Sequence, residues 1–197
     1  VQMADRVPAL PAAGWGDLAH NFGHELVGPS HQDPNLVRWW EAAAKFRHGG
    51  FDRIAVAPEW SPGIEAHLRN GWSAGGYLHE WWRCPVGRSA EMIEALRELV
   101  EHYGRQGLSL ALALSTAMGD DSECLMLWGF DTWETWADFE SSRAGDAELR
   151  GWGGRHERLI SGRRSSLLVD AELSPLRTGR QPQVEDRRML NDGVEAT

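Results

Sequence analysis

Leu108-Ser109-Leu110-Ala111-Leu112-Ala113-Leu114-Ser115 places a leucine at every second position, with small residues between. A period of two sends alternate side chains to opposite faces of a strand, so this stretch reads as β. Gly119-Asp120-Asp121-Ser122 follows, a cluster that turns the chain. Glu123–Phe130 then returns as the antiparallel partner of a hairpin.

Reading outward, residues 77–84 form an apolar, aromatic strand that ends at Pro85. Ser89 is placed to cap a helix carrying Met92, Ile93, Leu96, Leu99, Val100 and Tyr103 at helical spacing. Gly104 and Gly107 stop it. Beyond the hairpin, Trp133, Trp136 and Phe139 open a helical region that resumes at Leu149, Trp152, Leu159 and Ile160. Gly162 closes it, and residues 165–173 make a last strand.

The order β-α-β-β-α-β predicts an α+β, ferredoxin-like unit: a four-stranded antiparallel sheet with both helices on one face. The opposite face then keeps apolar side chains that must pack on a second layer.

A fainter copy precedes this unit. Asp33-Pro34-Asn35-Leu36-Val37-Arg38-Trp39 lies over Asp146-Ala147-Glu148-Leu149-Arg150-Gly151-Trp152, and the register continues from Gly49 on Gly162 to Val56 on Val169. The expected organisation is the C-terminal half of a first ferredoxin-like unit over residues 1–57, with a helix at 35–47 and a strand at 51–57. A linker at 58–76 contains about one helical turn, the complete unit occupies 77–173, and a flexible polar tail covers 174–197. The missing front half of the first copy leads to the expectation that the natural reading frame extends upstream of Val1, or that this chain is a fragment.

Bulk properties exclude several classes. The formal charge is −9, and basic residues, nineteen Arg and a single Lys, are not clustered. Nucleic acid and anionic membrane surfaces are therefore not expected partners. The longest apolar run is about half a membrane span. Two cysteines, Cys84 and Cys124, are too few for a disulfide scaffold, so a cytoplasmic protein with reduced thiols is expected. Eleven Trp imply broad aromatic surfaces in a core or around an apolar cavity.

The second copy resembles a NIPSNAP domain of the dimeric α/β-barrel superfamily. The resemblance runs through the opening strand with Glu80, the Gly87-Arg88 turn, Leu125-Met126-Leu127-Trp128-Gly129-Phe130 and the close from Arg158-Leu159-Ile160-Ser161 to Ser166-Leu167-Leu168. Where family members carry Arg and then Tyr after that Glu, this chain has Trp82 and Cys84. The resemblance implies two ferredoxin-like units packed sheet to sheet into a barrel, either between chains or between tandem copies. Relatives of this architecture include binding proteins of unknown ligand, cofactor-independent monooxygenases and haem-dependent enzymes.

The candidate site residues lie on the opening strand. Alternation sends His79, Trp81 and Arg83 to one face and Glu80, Trp82 and Cys84 to the other. His79 and Glu80 are the candidate acid/base groups, while Trp81, Trp82, Arg83 and Trp128 are candidates for walling a small apolar or aromatic ligand. The plainer reading is a packed interface with a few hydrogen-bonded polar groups. His20 and His24 have the i, i+4 spacing of a zinc pair, but Gly23 lies between them and the usual Glu after the first His is missing, which favours a surface pair. No motif asks for a cofactor. The leading functional expectation is a self-associating α/β-barrel protein of NIPSNAP-like type, homo-oligomeric or paired within the chain through its sheet face. The alternative is an enzyme of the same superfamily.

Overall fold

The computed structural model describes residues 38, 41–46, 54–118, 121–180, 183 and 186. The chain divides into two compact units, Val1–Asp52 and Arg53–Thr197. In the first, Arg38 and residues 41–44 are helical, within the helix expected at 35–47. Its other expected elements, and His20 and His24, lie outside the described residues.

In the second unit the order is β1 (Ile54–Val56), α1 (Ile64–Asn70), β2 (Gly76–Arg83), α2 (Ser89–Arg97), α3 (Leu99–Gly104), β3 (Leu108–Met118), β4 (Glu123–Phe130), α4 (Trp133–Arg143), α5 (Ala147–Arg155), β5 (Gly162–Leu168) and α6 (Pro175–Thr178). From β2 to β5 this is the ferredoxin-like sequence of elements. The sheet order β3-β4-β2-β5 is the one that topology requires, and every pairing is antiparallel. A fifth strand extends the expected four. The segment read as closing the first copy, β1, pairs with the free edge of β3. An unpaired row of backbone donors and acceptors attracts any nearby extended segment, and residues 54–56 meet that demand.

Helices α2 to α5 pack on one face over a core of Leu78, Trp82, Met92, Leu96, Leu99, Tyr103, Met126, Trp128, Phe130, Phe139 and Trp152. Each large apolar side chain removed from water contributes about 1.5–3 kcal/mol, so this layer dominates the folding free energy. Two residues cap as their type predicts: Thr132 Oγ1 accepts from Thr135 N at 3.2 Å, and Asp146 Oδ1 accepts from Leu149 N at 2.9 Å. Ser89 does not cap. It is already helical, and its hydroxyl donates to Asp121 of the β3–β4 turn.

Two features depart from the simple pattern. A bulge between Leu110 and Leu112 breaks the alternation of β3. Leu108 and Leu110 join the helix-side core, while Leu112 joins the cluster on the other face. The second departure is the cover on that other face. Tyr77, Ala111 and Leu127 are buried there beneath Trp72, Ala74 and Leu176, which come from the linker and the tail. Trp72 lies so close to β4 that a Cβ on Gly129 would meet its ring at 2.6 Å. His67 of α1 is buried beside it, its ring 4.3 Å from that of Trp72 and its Nε2 2.8 Å from the Ala111 carbonyl oxygen. Beyond the end of β5, in the segment read as the last strand, Asp170 accepts a hydrogen bond from the Tyr77 hydroxyl at 2.7 Å.

Candidate functional site

The strand β2 separates the candidate residues cleanly. Glu80 and Trp82 point into the helix-side core with Trp128 of β4, whereas His79 and Trp81 are half-buried on the opposite face and Arg83 is exposed at the strand end. The six residues therefore form two groups and not one pocket.

The first group centres on Glu80, which is 0% exposed. Its Oε2 accepts from the Trp128 indole at 3.0 Å and from the Trp82 indole at 3.4 Å. Its Oε1 is ion-paired with the Arg163 guanidinium, which also lies over the Trp82 ring at 4.8 Å. The register explains the meeting: β5 sets Arg163 directly opposite Trp82, and β4 sets Trp128 opposite Leu78, one diagonal from Glu80. Burial drives the Glu80 carboxyl up to about 7, against the pull of the Trp128 bond, the Arg143 charge and the Trp82 bond.

Tyr103 adds a second buried ionisable group. Its ring lies 4.8 Å from those of Trp128 and Phe139, and its hydroxyl has no hydrogen-bond partner among the described residues. Burial, then the Glu80 charge, raises its pKa far above the ordinary tyrosine value. The result is a polar cluster enclosed around Glu80 and open to water at Arg163. The surface depression lined by Arg88, Glu91 and residues 154–159 contains none of Glu80, Trp82 or Trp128, so it gives a substrate no route to the carboxyl. This arrangement matches a hydrogen-bonded buried group better than an open acid/base centre.

The second group lies on the other sheet face, part of which Trp72, Ala74 and Leu176 cover. His79, Trp81, Leu112, Leu114 and Leu125 are half-buried there, bordered by exposed Arg164, Ser166 and Leu168. Desolvation and then the Arg164 charge lower the pKa of His79, which keeps its ring neutral beside Trp81, 5.6 Å away. The face therefore carries no imidazolium charge at neutral pH.

Sequence reasoning passed over Arg163 and Tyr103. The adjacent pair Arg163-Arg164 shows only that one Arg faces each side of an edge strand, and Tyr103 is read as an ordinary core position. Cys84 and Cys124 are buried and are not joined in a disulfide, and burial raises the Cys124 thiol to about 12. Among the described residues, no group of three or more His, Cys, Asp or Glu is placed to hold a metal ion. No described helix is long and apolar enough to cross a membrane.

No family model and no curated protein matches the sequence. Among solved structures, the chain is similar to an uncharacterised NIPSNAP domain protein from Burkholderia xenovorans, at 17% identity and a TM-score of 0.44, over 51% of this chain and 98% of that one. A NIPSNAP family protein from Agrobacterium tumefaciens is similar at 21% identity and a TM-score of 0.44, over 51% and 97%. Another from the same species, of unknown function, gives 16% identity and a TM-score of 0.46, over 52% and 94%. These are likenesses of fold across about half of this chain, and no activity follows from them.

Proposed function

We propose that this protein is a self-associating α/β scaffold, and that the uncovered part of its second sheet face packs on the same face of another copy. The observation that supports the reading is the set Leu112, Leu114 and Leu125, half-buried around a neutral His79 beside Trp81, on a face whose cover among the described residues is Trp72, Ala74 and Leu176. Water in contact with such a face costs about 25 cal/mol for each Å² of apolar surface, and pairing two faces removes that cost from both. A small apolar molecule caught between two such faces would meet the Trp81 and Leu125 side chains.

Light scattering on the purified chain tests the proposal. The expected mass is twice 22.0 kDa, and Trp81→Asp combined with Leu125→Asp should return a folded monomer. A wild-type protein that stays monomeric at tens of micromolar, typical of weak association, would remove the reading.

A further inference from the structure

We propose that Arg163 is a latch that holds one end of the edge strand β5 to the sheet, and that protonation of Glu80 releases it. The inference is independent of sheet-face pairing.

Among the described residues, strand β5 has β2 as its one neighbour in the sheet, and its residues from Arg164 onward are exposed. Its two ends are fastened differently. Beyond the C-terminal end, Asp170 accepts from the buried Tyr77 hydroxyl. At the N-terminal end the side-chain tie is Arg163, whose guanidinium crosses the Trp82 ring to reach Glu80. The Arg163 side chain is 23% exposed while that of Glu80 is 0% exposed, so the cation alone has a way out to water.

The groups around Glu80 assign the role to this pair. Trp82 and Trp128 donate neutral indole N–H groups, which a protonated carboxyl can still accept. Tyr103 of α3 is a neutral hydroxyl. Arg143 and Glu140 of α4 act on Glu80 through space, but they are joined to each other at 2.8 Å, and Arg143 lies over Phe139. Arg163 is left as the cation in contact with the carboxylate. Once Glu80 is neutral, the guanidinium keeps a desolvation cost with no charge to offset it, and rotation into solvent relieves that cost. The open form binds the proton better than the latched form, so falling pH shifts the population toward opening.

Residue-resolved amide exchange on the full chain provides the test. In the wild type, rates at residues 163–165, corrected for the intrinsic pH dependence of exchange, should rise about tenfold from about pH 8 to about pH 5.5, while residues 167–169 near the Tyr77–Asp170 tie change little. Arg163→Met should exchange fast at both pH values. Glu80→Gln at about pH 8 should match the wild type at the lower pH. Equal corrected rates at the two pH values in the wild type would overturn the proposal, as would wild-type protection in Arg163→Met. The wild type and Arg163→Met decide the question even if Glu80→Gln does not fold.

Discussion

The indole Nε1–H of Trp128 donates to Glu80 Oε2 at 3.0 Å, joining β4 to β2 through side chains inside the helix-side core. A carboxyl group with no exposure is thus held in an aromatic layer, and its charge state is coupled to folding.

The first prediction concerns pH. The folded carboxyl, at about 7, lies above its ordinary value of 4.5, so the native state binds the proton more tightly than the unfolded chain. Stability from this group is fully present below the unfolded pKa and falls as pH rises through the folded one. The loss should be roughly 3 kcal/mol between about pH 4.5 and pH 7, read from urea midpoints. Glu80→Gln should flatten that slope; an unchanged slope would assign it to other groups.

Tyr103→Phe removes a buried hydroxyl that lacks a partner among the described residues. Deleting an unpartnered polar atom spares its desolvation cost, so the variant should be as stable as the wild type or up to about 1 kcal/mol more stable. A thermal melt showing clear destabilisation would mean that the hydroxyl is engaged in solution.

Gly129→Ala places a methyl against the Trp72 ring at 2.6 Å and against the Ala74 Cβ at 3.0 Å. The ring has to leave β4, which should cost about 1–3 kcal/mol and redden the tryptophan emission as Trp72 becomes wet. An unshifted spectrum would contradict the close packing.

Asp146 joins α5 to α3: it caps Leu149 N and accepts from His102 Nε2 at 2.6 Å. Its burial works against ionisation, but the Leu149, Gln106 and His102 bonds prevail and hold the carboxyl at about 2, below its ordinary 3.8. That stability is present above the unfolded pKa and is lost as pH falls through the folded one. Asp146→Ala should lose roughly 2 kcal/mol at neutral pH, and the gap from the wild type should close between about pH 4 and pH 2.

The element order was readable because each helix and strand announces itself locally: the spacing of Met92, Leu96 and Leu99, the Asp-rich turn before β4, and the Gly ends of the helices. The two-faced division of β2 was readable for the same reason, since alternation alone separates His79 from Glu80. Long-range facts were not. That Arg163 lands opposite Trp82, that Trp72 folds back onto Gly129, and that residues 54–56 extend the sheet all depend on register and on segments with little periodicity of their own. Ser89 shows the limit of a local rule, because its hydroxyl serves Asp121 while Arg88 occupies the capping position.

The irregularity at Ala111 makes one strand serve two interiors. Running the same residues in strict alternation, with Ala111 paired and no bulge, would carry Leu112 and Leu114 round to the helix side, where Ala113 now fits with 0% exposure. The outer surface would receive alanine and serine in their place. A single bulged residue thus sets which side chains the sheet presents on its outer face.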